Sequence, residues 1–316
     1  MIKNNYFYKI NFNSERDKQL CDLEMKCIFG KTASIERNIL SNVDTSPSRS
    51  PYIKEKISIE FSSNTLEELE EKIRSSKRYL EDFKVIYVKS GSKDVSYKDR
   101  LKAINTIASS IEGRSNIHNP KIVLGISKVD TKWIFGIYEK NNCLWHKHNK
   151  RPYSYSNALP LTLAKALVNI AIGNDYSKTL VDPCCGVGTV VIEALDLGVR
   201  VKGYELNSLI ASNAKGNLEY FGFENVIEEK DMHTINDEFD VAILDMPYDL
   251  FTTCSELDQN RLIESVYKIA NKLVIVTNRV MNEELIRVGY KIIDSCSVSK
   301  NKFIRYVTVC KRDCSI

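Results

Sequence analysis

The chain has 316 residues, 43% hydrophobic and 27% charged, with only 13 Gly and 7 Pro; this excludes wholesale disorder and gives enough length for two domains. No stretch approaches the roughly 18 uncharged residues of a membrane-spanning helix, and the start, Met1 to Tyr6, lacks the apolar core of a secretory signal. The net charge of +4 is unevenly divided, with 27 Lys and Arg against 19 Asp and Glu in residues 1–150 and 18 against 22 in the remainder. A basic front half suits a polyanion, although an ordinary soluble surface gives the same counts.

In chain order, Tyr6–Phe12 and Ile57–Phe61 alternate as strands, and Asn42–Pro51 between them is turn-rich. Leu66–Leu80 carries Leu66, Leu69, Ile73 and Leu80 at helical spacing behind the cap candidates Asn64 and Thr65. Phe83–Lys89 is a strand, Lys98–Ile111 a helix, and Ile122–Ile126 with Trp133–Tyr138 a strand pair around Lys128–Thr131. This order predicts a small α+β domain over 1–140. Residues 141–158, which hold Trp145, His146, His148 and Tyr153 among lysines and arginines, are the linker to a second domain over 159–316. There His146 and His148 are expected to be solvated or near phosphates, and Trp145 and Tyr153 stack on nucleotides or pack between domains.

Beyond the linker the rhythm becomes regular. Helices are expected at Leu159–Ala171, Thr189–Leu197, Ser208–Phe221, Gln259–Asn271 and Met281–Val288. Strands are expected at Thr179–Asp182, Val199–Glu205, Val226–Glu229, Phe239–Asp245 and Leu273–Thr277, with a closing hairpin of Tyr290–Val298 and Phe303–Cys310. Such alternation predicts a parallel doubly wound sheet, and the hairpin adds an antiparallel last strand. Nine cysteines at irregular spacing, none as Cys-x-x-Cys, indicate neither a zinc site nor a disulfide framework; reduced thiols in a cytoplasm and no metal are expected.

The chemistry lies at strand ends. Asp182-Pro183-Cys184-Cys185-Gly186-Val187-Gly188-Thr189 is an apolar strand ending in a carboxylate, a glycine turn and a helix start, the place where ligands sit in open parallel sheets. The third glycine of a dinucleotide fingerprint is missing, and a carboxylate would repel a pyrophosphate but attract the ammonium of a methionine moiety. S-adenosylmethionine is therefore favoured over a nicotinamide cofactor. Glu205, at the end of the next strand, can accept from both ribose hydroxyls, with Leu206 beside it. Asp231, followed by Met232, can meet an adenine amino group. Cys184 suits tight packing in the turn, and a nucleophilic thiol would need a base that is not evident.

Asp245-Met246-Pro247-Tyr248 follows another apolar strand. Asp245 and the Met246 carbonyl can accept the two N–H bonds of an exocyclic amine, Pro247 stiffens the turn, and Tyr248 can stack on an extruded base, worth about 1–3 kcal/mol. Each of these features also has a plain reading as a strand-ending turn.

The last motif resembles the Asp-Pro-Pro-Tyr signature of amino-group methyltransferases acting on adenine, cytosine or guanine, and the Asp182–Gly188 turn looks like their cofactor loop. Asn149–Tyr153 with Leu159–Asn169 is similar to the stretch joining the halves of THUMP-domain tRNA guanosine-N2 methyltransferases. Phe83–Tyr87, Asn119-Pro120 and Ile122–Tyr138 are consistent with a THUMP module. The resemblance implies a Rossmann-like class I methyltransferase sheet behind a ferredoxin-like and THUMP RNA-binding region, with tRNA as partner. Its implied cofactor residues are Asp182, Cys184, Gly186, Gly188, Thr189, Glu205, Leu206, Asp231 and Met232, and its catalytic set is Asp245, Met246, Pro247 and Tyr248. Met246 departs from the family's proline and is expected to leave the loop less rigid; Asp249–Cys254 is also atypical. An adenine-N6 methyltransferase and a non-catalytic RNA-binding scaffold remain alternatives, with a nicotinamide dehydrogenase more distant.

Overall fold

The computed structural model describes residues 5–91, 95–154, 158–247, 255–300 and 303–313. The elements up to residue 140 are β1 (Tyr6–Ile10), α1 (Glu15–Phe29), β2 (Asn38–Ser41), β3 (Ile53–Ser63), α2 (Leu66–Ser75), β4 (Tyr79–Tyr87), α3 (Tyr97–Ser109), β5 (Glu112–Ser115), β6 (Ile122–Val129) and β7 (Lys132–Lys140). Then come α4 (Leu161–Ile172), β8 (Thr179–Asp182), α5 (Thr189–Asp196), β9 (Arg200–Glu205), α6 (Ser208–Tyr220) and β10 (Ile227–Glu229). The chain ends with β11 (Phe239–Asp245), α7 (Glu256–Ile269), β12 (Ala270–Thr277), α8 (Asn282–Val288), β13 (Tyr290–Lys300) and β14 (Phe303–Arg312).

Two units result, one of Met1–Asn11 with Thr32–Asn142 and the other of Phe12–Lys31 with Cys143–Ile316. Segment 12–31, left with the front region by the sequence reading, thus belongs to the second unit.

The first unit is an α+β layer. Its sheet runs β2-β1-β3-β7-β6-β4-β5, with β4 parallel to both β5 and β6 and the other pairs antiparallel. Leu69 and Ile73 of α2 and Ala103 and Ile107 of α3, each pair four residues apart, bury against Phe83, Val85, Leu124 and Phe135. The Thr65 hydroxyl accepts from Glu68 N at 3.1 Å, so α2 starts where the sequence places it. It stops at Ser75, earlier than read, because Lys77 takes a left-handed φ of 48° and turns the chain; Leu80 then lies on β4.

The second unit carries the sheet β10-β9-β8-β11-β12-β14-β13. Strands β8 to β12 are parallel, whereas β14 runs antiparallel to β12 and β13. This is the mostly parallel α/β sheet with an antiparallel closing hairpin that the sequence predicts. Strand order reverses beside β8, whose neighbours are β9 and β11, and such a reversal opens a crevice at the strands' carboxyl ends. Gly203 on β9 allows close packing there: a Cβ would stand 2.9 Å from Val191 and 3.2 Å from Cys185 Sγ. Helix α1 buries Leu20, Cys21, Met25 and Ile28, and its fully buried Glu24 accepts from Asn169 Nδ2 of α4 at 2.6 Å.

His148, expected to be solvated, is instead 1% exposed. Its Nδ1 lies 2.6 Å from Glu193 Oε1 of α5, while Lys165 Nζ of α4 lies 3.1 Å from Glu193 Oε2 and 3.7 Å from Asp196. His148, Glu193 and Asp196 could together ligate a cation, but the ammoniums of Lys165 and of Lys147, the latter 3.3 Å from Asp196, already balance the two carboxylates. Breaking such a buried pair leaves an uncompensated charge. Glu193→Gln is therefore expected to lower the unfolding free energy by about 3 kcal/mol or more, read as a lower urea midpoint; an unchanged midpoint would show that the cluster does not hold α4 and α5 together.

Candidate active site

Each candidate side chain is delivered by a strand end. After β8 the turn from Pro183 to Gly188 passes through two left-handed glycines, Gly186 at φ 54° and Gly188 at φ 82°. No atom lies within 4 Å of where a Gly186 Cβ would stand, so a ligand can reach the backbone at that point. Cys185 N donates to Tyr204 O at 2.8 Å, docking the turn on β9. The Glu205 carboxylate accepts from Gly186 N at 3.0 Å and from Asn207 N at 2.9 Å, which fixes its orientation and leaves further lone pairs for a ligand. Asp231 follows β10, and its Oδ1 accepts from His233 N at 2.9 Å.

Together these groups wall a cavity of about 720 Å³ at the carboxyl ends of β8, β9 and β11. Of the residues singled out in the sequence, Asp182, Cys184, Gly186, Thr189, Glu205, Leu206, Asp231, Met232, Asp245, Met246 and Pro247 line it. Gly188 is not in the wall; it caps α5 instead. Tyr248 and the segment 249–254 lie outside the described residues.

Met246 stands where the family's motif has a proline. Its N–H, which a proline would lack, donates to Val276 O at 2.9 Å and extends the β11–β12 ladder by one bond. Its side chain is 2% exposed, within the core formed by Leu244, Leu262 and Ile275. The methionine is tied down rather than loose.

The electrostatics are one-sided. Asp182 is 4% exposed; burial raises its carboxyl well above the usual range against one hydrogen bond from Cys184 N, and the charges of Asp245 and Glu205 raise it further. Asp245 keeps some exposure as a residue, yet its Oδ1 is sealed from solvent with no hydrogen-bond partner among the described residues. Burial pushes its carboxyl up to about 7, with the Arg305 charge pulling the other way. A cavity walled by carboxyls in this condition favours a cationic ligand that presents N–H donors. Burial also raises the Cys184 and Cys185 thiols, which disfavours a thiolate nucleophile.

Several cavity residues escaped the sequence reading: Asn207, Lys230, His233 and Leu262, together with Ala158 and Leu159 from the linker. Asn207 could have been found as the cap residue of α6, whose Oδ1 accepts from Leu209 N and Ile210 N. The others carry no local signal, because chain folding alone brings them to the wall.

Residues 148–281 match the family described as RMKL-like, methyltransferase domain. The tRNA (guanine(10)-N2)-dimethyltransferase of Pyrococcus abyssi is 29% identical over 186 residues, covering 54% of this chain and 55% of that protein. The enzyme of the same name from Methanothermobacter thermautotrophicus is 24% identical over 194 residues, covering 59% and 57%. The chain thus spans about half the length of the curated relatives it matches. Among solved structures, TrmN from Thermus thermophilus aligns over 98% of this chain and 99% of that one, at 12% identity and a TM-score of 0.49.

The raised carboxyls make the ligand-free protein sensitive to pH. A folded-state pKa near 7, against an ordinary 3.8, means that the native state holds a proton the unfolded chain has lost, so stability falls as pH rises through this window. Asp245→Asn removes that loss and also relieves Asp182. The variant is expected to match the wild type near pH 4 and to exceed it near pH 8 by at most about 4 kcal/mol, at 1.36 kcal/mol per pKa unit. Urea unfolding at the two pH values checks this, and a constant difference between them would contradict the assigned strain.

Proposed function

With residues 148–281 as a methyltransferase domain of this family, we propose that the protein uses S-adenosylmethionine to methylate the exocyclic N2 of guanine in tRNA. The observation that carries the proposal is the convergence of Asp182, Glu205, Asp231 and Asp245 on one cleft, with the Asp245 Oδ1 unpartnered among the described residues. Further support comes from the names of the two archaeal relatives and from the basic balance of residues 1–150, which suits an RNA-gripping front region. No described helix is long and apolar enough to cross a membrane; the proposed setting is the cytoplasm.

The residues fit the cofactor. Asp182 faces a cation best, because an ammonium or sulfonium offsets the burial, and the lesser repulsion, that raise its carboxyl. The free lone pairs of Glu205 suit ribose hydroxyls and those of Asp231 an amino group, while Leu206 and Met232 supply apolar wall. When bound, the cofactor supplies an activated methyl group. The acceptor nitrogen would take the methyl carbon as the sulfur–carbon bond broke, and would give up a proton. Asp245 accepts one N–H of the amine, turning the lone pair toward the donor, and is the group to which the departing proton can pass. Most of the rate gain is positional, since charge disappears in the transfer. Tyr248 is assigned to stacking on the base from the sequence pattern alone.

Incubation with labelled cofactor and unmodified tRNA, followed by nucleoside analysis, should give labelled N2-methylguanosine. Asp245→Ala should lower kcat about 100-fold or more, a larger loss than any accompanying change in cofactor affinity. Label in N6-methyladenosine would reject the base assignment, and no label with intact cofactor binding would favour the scaffold reading.

A further inference from the structure

Helix α6 contains two adjacent residues that its local propensity does not favour. Gly216 costs about 1 kcal/mol relative to Ala in a helix interior, and Asn217 is a weak helix former. Both positions have a spatial explanation. A Cβ on Gly216 would stand 2.7 Å from Tyr153 Cε2, so a larger residue there would push the half-exposed tyrosine ring off the helix. Asn217 is fully buried, and its amide is spent on two separate stretches of backbone. Its Nδ2 donates to Tyr153 O at 2.9 Å and to Val187 O at 3.0 Å, and its Oδ1 accepts from Tyr153 N at 3.0 Å. One side chain thereby pins the linker at Tyr153 and the glycine turn at Val187. Val187 lines the cleft, as do Ala158 and Leu159, the next described residues beyond Ser154 on the linker; Asn217 and Tyr153 do not.

We propose that Asn217, with Gly216 and Tyr153, is a positioning clamp that sets the spacing of the two cofactor-facing backbone segments, so that cofactor capture depends on residues that never touch the cofactor. The inference rests on the proposed S-adenosylmethionine site. It is distinct from helix stability: Asn217→Asp keeps the size and the acceptor for Tyr153 N but replaces the single nitrogen that donates both bonds with an oxygen facing two carbonyls, and Gly216→Ala strengthens the helix while pushing the ring away.

The test compares wild type, Asn217→Asp and Gly216→Ala by calorimetry with S-adenosylmethionine, by steady-state kinetics and by amide hydrogen exchange of the ligand-free protein. Both variants should weaken cofactor affinity and raise the cofactor KM by about tenfold, with kcat at saturating cofactor and KM for tRNA changed less than about twofold. Amides at 153–154 and 185–188 should lose protection while the β11 and β12 core keeps it, and Gly216→Ala should show the affinity loss without a lower melting temperature. Wild-type affinity in both variants would overturn the clamp, as would losses that fall equally on kcat or simply follow melting temperature. If Asn217→Asp fails to fold, Gly216→Ala decides alone. Wild-type protein that binds no S-adenosylmethionine would refute the functional reading, and the exchange pattern would still judge the clamp.

Discussion

Two carboxyl groups held close together away from water set the terms for the rest of the second unit. β8 and β11 are parallel neighbours with Leu180 opposite Val241 and Val181 opposite Ala242. Asp182 is therefore level with Ile243, and by the alternation of side chains along a strand it shares a face with Asp245, two residues further along. Neither can ionise cheaply, since burial raises both and the Asp245 charge adds to the rise at Asp182. A globular protein does not keep such an arrangement for stability, because each sealed carboxylate opposes folding at neutral pH. Under the proposed function its value lies in what it attracts: a cation with N–H donors placed between them would remove the penalty that they impose on the ligand-free state.

The surrounding architecture holds this unfavourable arrangement in place. The β11–β12 ladder runs to its end at Asp245 and is extended through Met246 N, so the turn at Met246-Pro247 starts from a fixed point. Gly203 admits Val191 and Cys185 against β9, and Cys185 N ties the glycine turn to Tyr204. Beneath the turn, His148, Glu193 and Lys165 join the linker to α5 and α4 through buried charges. Strain of this kind persists where neighbours over-determine the geometry.

The sequence revealed the sheet well and the supports poorly, for one physical reason. β8 and β11 have the bounds expected because each is an apolar run closed by an acidic residue and a turn, a local contrast that needs no knowledge of partners. The same contrast marked Asp182, Glu205 and Asp245, and the cavity gathers them. Helix α1 escaped because it is buried against α4 and β13 together, which spreads its apolar positions around the helix and places Glu24 in the interior. His148 looked solvated among lysines and arginines, since its partner Glu193 is 45 residues away. Asn217 carried no mark within the expected helix Ser208–Phe221, because Tyr153 is 64 residues distant. Acceptors at strand ends are written locally; the side chains that orient them are chosen by long-range contacts.

The central claim, that raised carboxyls await a cationic cofactor, is tested most directly by proton counting. Calorimetric titration with S-adenosylmethionine at about pH 6.5, repeated in buffers of different ionisation enthalpy, reads the protons exchanged on binding. Binding should release a substantial fraction of a proton as the carboxyls ionise beside the ligand. Binding with no release, or with uptake, would contradict the account.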